Sequence, residues 1–285
     1  MIPGEPSRTA WSVAMHRAAH QIVDGASVFA DPVAVPITGW PSRRVADDAT
    51  QHPERRPMRA FIAARHQFAR QVVQSVARPA DGLQVVVLGA GLDTTAYQPD
   101  PPTGLHVFEV DHPATGAWKR DHLARERIAP TTRVDYVGVD LESEPADAAL
   151  HAAGLDPSRP VAVIWLGVLV YLTGAAVEST IAAMSRLSDA RVDLVLDYPE
   201  PADRLSEHAA AARAARARRV AGIGEPWLSS YTPTAMSGLL QHHGFGVVED
   251  LDSADWVKRY FGIPRDRVPG RGGAHLVHAA TQLTG

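Results

Sequence analysis

Cysteine is absent from this chain of 285 residues, and lysine is nearly absent. Without cysteine the protein has no disulfide framework, no thiolate zinc site and no cysteine nucleophile, and a reducing compartment, the cytoplasm, is its expected location. Only Lys119 and Lys258 stand among the 28 basic residues, and alanine is abundant, a bias typical of a GC-rich genome. We therefore infer no function from the arginines as a class.

Long apolar runs and targeting signals are also missing. The longest apolar stretch, residues 161–172, has about twelve residues, whereas a transmembrane helix needs about 20. The first residues show neither the basic nor the apolar segment of a secretory signal. The net charge is −4, and no aromatic residue separates the arginines of residues 265–271, which argues against nucleic-acid binding. The expected partner is a small molecule, with no membrane and no nucleic acid.

The composition, 45% hydrophobic and 21% charged, is that of a globular protein with a large buried core. Short apolar runs bounded by turn residues predict seven strands, and helical stretches at residues 113–128, 145–153 and 174–187 lie among the first five. This alternation predicts an α/β fold with a doubly wound parallel sheet. A short helix and a loop separate the last two strands, which suits a closing pair without a parallel crossover. The strands are predicted at residues 83–88, 106–110, 134–139, 161–166, 192–198, 246–249 and 275–280.

Two regions stand outside this alternation. Residues 1–80 form a predicted N-terminal helical extension, with amphipathic helices near residues 7–23 and 58–77 joined by a loop at residues 41–57. The sheet domain is predicted to span residues 81–285, with a helical cap inserted at about residues 200–231. The composition of the Ala/Arg-rich stretch in this cap favours a solvated helix over a functional arginine cluster.

A glycine-rich turn follows the first predicted strand and precedes a predicted helix. Gly89 and Gly91 give the turn the positive φ and the close ligand approach that a Cβ would prevent. Such a turn is where open α/β sheets bind nucleotides, and an acid at the end of the next strand, Glu109 or Asp111, can accept the ribose hydroxyls. Thr94 occupies the position where a dinucleotide site has a small residue. This favours a cofactor without a pyrophosphate, such as S-adenosylmethionine, although a turn with no ligand stays an alternative.

The residues around this turn resemble the leucine carboxyl methyltransferase family. The resemblance rests on residues 87–95, 108–113 and 139–141, which read VLGAGLDTT, FEVDHP and VDL, and it runs from about residue 7 to residue 198. It implies a seven-stranded class I methyltransferase (Rossmann-like) sheet that uses S-adenosylmethionine. The family also holds actinobacterial O-methyltransferases similar to the carboxyl methyltransferases of aromatic polyketide pathways such as tetracenomycin, so the implied acceptor is a secondary-metabolite carboxylate.

The resemblance also implies roles for individual residues. Two arginines hold the methionine carboxylate, the glycine-rich turn lines the methionine portion, two acids bind the ribose, and an aspartate–leucine pair binds the adenine. One position departs from the family pattern, because Leu166 stands where relatives have a glutamate that contacts the cofactor. The implied cofactor-binding set is Arg8, Arg65, Gly89, Ala90, Gly91, Glu109, Asp111, Asp140, Leu141 and Leu166.

The acceptor pocket is expected over the fourth and fifth strands, under the cap. No dedicated catalytic residue is required for a carboxylate acceptor, because positioning and desolvation can supply the rate. A phenol O- or N-methyltransferase on the same fold, or an inactive protein that binds S-adenosylmethionine, are the alternatives, and the oligomeric state stays open. No metal is expected, since His242 and His243 have no further ligand at metal spacing. The aromatic residues that can line the pocket are Tyr171, Tyr198, Trp227 and Tyr231.

Overall fold

The computed structural model describes residues 7–78, 82–268 and 273–282. These residues form a seven-stranded sheet with the strand order β3-β2-β1-β4-β5-β7-β6. The first five strands are parallel, β7 is antiparallel to β5, and β6 is antiparallel to β7. The predicted doubly wound sheet with a closing pair is therefore confirmed. The strands are β1 (Gln84–Leu88), β2 (His106–Asp111), β3 (Arg133–Gly138), β4 (Val161–Trp165), β5 (Val192–Pro199), β6 (Phe245–Leu251) and β7 (Ala274–Thr281).

Helices cover both faces of the sheet, which explains why β1 and β4 are buried along their whole length and consist almost entirely of apolar residues. The predicted helix of the cap is present as α7. None of the helices that the described residues form is both long and apolar enough to cross a membrane. The helices are α1 (Arg8–Val23), α2 (Ser42–Gln51), α3 (Arg56–Val76), α4 (Pro113–Arg125), α5 (Asp147–Ala152), α6 (Gly174–Met184), α7 (Glu207–Ala221), α8 (Pro233–His242) and α9 (Ser253–Phe261).

The prediction of a loop over residues 41–57 is wrong, because α2 occupies most of it. Helix α2 has one large apolar residue, Val45, which is fully buried, and α2 packs on α1. The helix is short and mostly polar, and only Val45 and the partly buried Ala49 belong to an apolar cluster, so it resembles a loop in composition. The helix is therefore stabilised by its packing on α1, a tertiary contact that cannot be predicted from the sequence of α2 alone.

The prediction of a helix after the glycine-rich turn is also wrong. The connection from β1 to β2 contains only a 3₁₀ turn, Thr95–Tyr97. The Asp93 carboxylate accepts the Thr95 amide at 2.7 Å and so begins the short turn. Pro99, Pro101 and Pro102 follow closely, and since proline lacks an amide hydrogen, the turn does not continue as an α-helix.

The N-terminal helices pack on the sheet as part of its core. Helix α3 covers the face of the sheet that carries Val85 and Val87, and its Phe68 belongs to the same apolar cluster. On the opposite face, Leu88 and Trp165 pack in a second cluster that includes residues of α6 and α8. The extension thus replaces the missing helix between β1 and β2. The division of the chain at residue 81 stays a prediction, and this boundary lies outside the described residues.

We expect Phe68→Ala to lower the free energy of unfolding by about 3–5 kcal/mol, because it leaves a cavity between α3 and the sheet. Urea denaturation followed by circular dichroism measures the loss. Val248→Ala is the control, since Val248 is 59% exposed, and it should change the stability by less than about 0.5 kcal/mol. A separate unfolding transition for the extension would contradict a shared core.

Candidate cofactor and acceptor site

The glycine-rich turn brings backbone groups close to three neighbouring elements. Gly89 has a φ of +59° and Gly91 a φ of +50°, in the region that side chains disfavour. A Cβ at Gly89 would lie 2.3 Å from Val168 Cγ2, in the loop after β4. The amide of Gly91 donates a hydrogen bond to Asp111 Oδ2 at the end of β2. Gly89 is therefore required by the position of Val168, and Gly91 is favoured by its positive φ.

A cleft of about 170 Å³ lies between this turn and the ends of β2 and β3, and both predicted ribose acids line it together with Ala90 and Gly91. Asp111 accepts the amides of Gly91 and His112. These two bonds leave lone pairs on the carboxylate, which can accept two further donors. Burial raises the pKa of Asp111, and the amide bonds act in the opposite direction. Asp111 is thus fixed in position with acceptor capacity to spare.

Glu109 lies deeper and already has a cationic partner. Its Oε2 accepts a hydrogen bond from Lys119 Nζ of α4 at 2.6 Å, and the two side chains are at most 3% exposed. Burial raises the pKa of Glu109, while the Lys119 charge opposes that shift. Glu109 Oε1 is buried and has no hydrogen-bond partner among the described residues. Between the two predicted ribose acids, Asp111 is therefore the more accessible acceptor.

Arg65 of α3 reaches the opposite side of the site, at the carboxyl ends of β4 and β5. Its Nη1 donates to Asp197 Oδ2 at 3.0 Å, in an ion pair that is less than a tenth exposed. The other oxygen of Asp197 accepts the amide of Gly167 at 2.5 Å. Arg65 Nε is buried without a partner in the described residues. The guanidinium is thus held by one edge and has donors left for a ligand.

The remaining predicted cofactor residues occupy three different settings. Arg8 opens α1 and is exposed. Asp140 is exposed and its Oδ1 accepts the amide of Glu142, while the adjacent Leu141 is buried in the core. Leu166 directly follows β4, is half-buried, and packs against the apolar cluster under α3. The cofactor roles of these residues stay predictions.

The cap is attached to the carboxyl edge of the sheet by backbone hydrogen bonds. The amides of Leu228 and Ser229 donate to Val170 O, and the amide of Tyr231 donates to Pro199 O at 3.0 Å. Three of the predicted aromatic residues, Tyr171, Trp227 and Tyr231, lie in this region and are half-buried.

Tyr198, the fourth predicted aromatic residue, is buried in β5 with other partners. Its hydroxyl donates to Asp250 at 2.8 Å and its ring stacks on His275. The Tyr198 hydroxyl thus forms a hydrogen bond within the core, to Asp250.

Two arginines of α7 are less exposed than the expectation of a solvated helix implies. Arg213 and Arg216 are half-buried, and burial lowers the pKa of each guanidinium. Arg213 lies over the ring of Trp227, with its Cζ 5.4 Å from the ring centroid. Neither arginine has a carboxylate partner among the residues that the structure describes. Arg218, on the other side of the helix, is exposed.

The charges of several arginines also act on the pKa of His16 in α1. Its pKa is lowered to about 4, first by burial and then by the charges of Arg55, Arg59, Arg65 and Arg216. The imidazole is consequently neutral at neutral pH. Among the acids in this region, Glu225 accepts a hydrogen bond from Ser7 Oγ at 3.0 Å. Arg55, Arg59 and Arg65 form ion pairs with Asp48, Asp24 and Asp197, which leaves Arg216 as the arginine of this group without a carboxylate partner among the described residues.

Sequence reasoning missed Asp197, Lys119, His16 and the two covered arginines. One signal was available, since Asp197 is a charged residue at the end of a strand that is otherwise largely apolar. His242 and His243 also lie near a third group that could bind a metal, the carboxylate of Glu178, which is distant from them in the sequence. Ligand atoms of Glu178, His242 and His243 lie within 4.8 Å of one another on the surface.

Comparison with known proteins agrees with this geometry. The sequence model of the leucine carboxyl methyltransferase family matches residues 10–185. A protein of Streptomyces avermitilis, named as a predicted S-adenosyl-L-methionine-dependent methyltransferase, is 34% identical over 227 residues, which cover 77% of this chain and 76% of that protein. A protein of Mycobacterium avium with the same description is 39% identical over 158 residues. That alignment covers 55% of this chain and 49% of the relative, so the chain spans about half the length of this relative.

A solved structure supports the fold. The crystal structure of a DUF574 family protein from Streptomyces avermitilis has a TM-score of 0.57 and 16% identity, and the match covers 99% of this chain and 100% of that one. The strand order and the glycine-rich turn at the carboxyl end of β1 define a class I methyltransferase fold. Within that class, the chain belongs to the leucine carboxyl methyltransferase family.

The buried Glu109–Lys119 ion pair leads to a prediction about the free energy of unfolding. We expect Lys119→Met to cost about 3–5 kcal/mol at neutral pH, because it leaves a buried carboxylate without its partner. The loss should shrink as the pH falls below neutrality towards the ordinary pKa of glutamate, since burial raises the pKa of Glu109 and protonation removes the stranded charge.

The chain provides its own control in Lys258, which is exposed. Lys258→Met should change the free energy of unfolding by less than about 0.5 kcal/mol. The double variant Lys119→Met/Glu109→Gln should recover part of the loss, and chemical denaturation of all four proteins gives the values. Equal stability of the two lysine variants would refute the importance of the buried pair.

Proposed function

We propose that this protein is an S-adenosylmethionine-dependent O-methyltransferase whose acceptor is the carboxylate of a small molecule. The observation that carries the choice of acceptor is the pair of half-buried guanidiniums, Arg213 and Arg216, which have no carboxylate partner among the described residues. Buried charges in proteins are normally paired. An anionic acceptor under the cap would supply the missing partner.

The residues at the carboxyl edge fit the proposed cofactor. The spare lone pairs of Asp111 suit two ribose hydroxyls, and the donors that remain on Arg65 suit the methionine carboxylate. Gly89 and Gly91 allow the backbone to approach the chain that joins these two groups. Asp140 and Leu141, beyond the end of β3, are proposed for the adenine edge. When bound, S-adenosylmethionine would supply an electrophilic methyl group.

The weakness of the available base favours a carboxylate over a phenol. A carboxylate with a pKa near 4 is already ionised at neutral pH, whereas a phenol with a pKa near 10 requires help to lose its proton. His16 is the neutral imidazole in this space, but its lowered pKa of about 4 makes it a poor proton acceptor. An acceptor that arrives ionised needs no base.

The chain would then act mainly by orientation and by exclusion of water. A guanidinium of α7 can bind one carboxylate oxygen and leave the other free to attack the methyl group. The hydrogen bonds from the cap to Val170 O and Pro199 O would hold this helix over the edge of the sheet. Orientation of this kind can lower a barrier by about 7–11 kcal/mol. An aromatic acid of secondary metabolism, in the cytoplasm, is the acceptor that the family resemblance suggests.

The ribose assignment leads to a prediction about cofactor selectivity. Asp111→Ala should reduce the preference for S-adenosylmethionine over its 2′-deoxy analogue by about tenfold, because the carboxylate no longer accepts a hydroxyl that only one of them has. Calorimetric titration of both ligands measures the preference. Asp121→Ala, a change of an exposed acid on α4, should preserve it. If the preference survives in Asp111→Ala, the ribose is bound elsewhere.

The acceptor assignment is tested by product chemistry and by the arginines of α7. In a screen of small aromatic acids with methyl-labelled S-adenosylmethionine, the product should be a methyl ester that mild alkali hydrolyses. The value of kcat/KM should be nearly flat between about pH 6 and 8.5, since the acceptor is ionised throughout. Arg216→Gln should raise the acceptor KM at least tenfold.

The matched control is Arg218→Gln, because Arg218 lies on the exposed side of the same helix. Its KM should equal that of the wild type. An alkali-stable methyl ether, formed at a rate that rises about tenfold per pH unit, would indicate phenol methylation instead. Equal effects of the two substitutions would remove Arg216 from acceptor binding.

A further inference from the structure

A second cavity lies away from the cofactor cleft and from the cap. It measures about 330 Å³ and is bounded by α3 on one side and by the connection from β1 to β2 on the other. It has no lining residue in common with the cleft at Asp111. We call it the crossover cavity, and its apolar wall consists mainly of Phe29, Ala69, Val73, Leu105, Ile164 and Leu166.

The crossover cavity exists because the connection from β1 to β2 lacks a helix. Only the 3₁₀ turn Thr95–Tyr97 and a proline-rich segment occupy this connection. Helix α3 covers the exposed face of the sheet, but it leaves a gap against residues 98–102. The side chain of Leu166 forms part of the wall, so an apolar residue faces the gap at the end of β4.

One polar atom in the wall is left without a partner. His66 is nine-tenths buried, and its Nδ1 hydrogen donates to Ile62 O at 2.7 Å. This bond leaves Nε2 as the acceptor nitrogen of a neutral ring. Burial, together with the charges of Arg17 and Arg65, lowers the pKa of His66 to about 3 and keeps the ring neutral. Nε2 receives no hydrogen bond from the described residues, and the nearest carboxylate, Asp93, is 3.9 Å away.

Three other polar side chains of the wall, those of Thr94, Gln98 and Arg70, have partners within the protein. Thr94 Oγ1 donates to Asp31 at 2.7 Å, and Gln98 Nε2 donates to the same carboxylate at 3.1 Å. Arg70 donates to Ala30 O and Gln98 Oε1, and its guanidinium lies over the ring of Phe29. These three side chains therefore need no hydrogen bond from a ligand.

Most charged groups around the crossover cavity are paired within the protein, and Asp100, which also lines it, is exposed to solvent. Buried Arg17 lies 3.7 Å from Asp31 and 4.0 Å from Asp93, so one guanidinium and two carboxylates stand on this side. Arg70 supplies the second positive charge, at the mouth. A charged ligand would gain no buried, unpaired counter-ion here and would lose its hydration, so an uncharged ligand is favoured.

We propose that the crossover cavity binds an uncharged, single-ring aromatic alcohol, whose hydroxyl donates a hydrogen bond to His66 Nε2. The apolar wall holds the ring, and Phe29 with the prolines of residues 99–102 presents flat surfaces to it. The volume is at the lower end of the range of about 300–1,000 Å³ that small-molecule pockets have, which suits one ring. Apart from Leu166, which the family resemblance also assigns to the cofactor, this site has no residue in common with the proposed methyl-transfer site, and it does not depend on methyl transfer.

Calorimetric titration of the full chain with p-cresol and with toluene tests the proposal. The two probes differ in a single hydroxyl, so p-cresol should bind with one site and about tenfold more tightly than toluene. His66→Leu should lower the affinity for p-cresol to that for toluene and leave toluene unchanged. Ala69→Phe, which fills the cavity, should abolish the binding of both probes.

His122→Leu is the matched control. His122 is also buried and bonds to a backbone carbonyl, Pro36 O, but it lies outside the cavity. This variant should bind both probes as the wild type does, and thermal unfolding checks that each variant is folded. Equal affinities of the wild type for the two probes, or no binding of either, would overturn the proposal.

Saturating S-adenosylhomocysteine should leave the affinity for p-cresol unchanged. Displacement of p-cresol would mean that it occupies the methyl-transfer site, and it would overturn a separate cavity. Because the titration needs no turnover, failure of the proposed methyl transfer would leave this result valid.

Discussion

The turn from Gly89 to Gly91 is the constraint on which the rest of the site depends. With both glycines at positive φ, the backbone lies against the loop after β4 on one side, where Val168 occupies the space of a Cβ. On the other side, a Cβ at Gly91 would be 3.0 Å from Ala10 Cβ of α1. The Gly91 amide meanwhile holds Asp111. The cofactor cleft, the loop under the cap and the N-terminal extension are therefore aligned through one turn.

Charge changes sign across this edge of the sheet. At the β2 end, Asp111 offers acceptors to neutral donors, and the charge of Glu109 is neutralised inside the protein by Lys119. At the β5 end, Asp197 holds one edge of Arg65, while Arg213 and Arg216 of the cap add positive charge and have no carboxylate partner in the part of the chain that the structure describes. A ligand with hydroxyls at one end and a carboxylate at the other is complementary to this distribution.

Local patterns predicted the sheet well, because strands covered on both faces read as continuous apolar runs and glycines mark the turn. Contacts between residues far apart in the sequence could not be predicted from local patterns. Arg65 and Asp197, for example, are 132 positions apart. The arginines of α7 show the same limit. Their spacing places Arg213 and Arg216 on one side of a helix, but which side faces α1 depends on how the helix packs. Helix α2 was missed because it is short and mostly polar, with only Val45 and Ala49 in an apolar cluster.

Adjacent residues of α3 face the two proposed sites, which raises the question of whether the sites influence each other. Arg65 reaches the carboxyl edge, and its charge is among the causes that lower the pKa of His66. A carboxylate bound to Arg65 would offset part of that charge and raise the pKa of His66. Burial is nevertheless the largest cause, and a pKa of about 3 lies far below neutrality. The pKa of His66 therefore stays lowered whether or not the edge is occupied, and a carboxylate bound to Arg65 would act on it in one direction, by raising it.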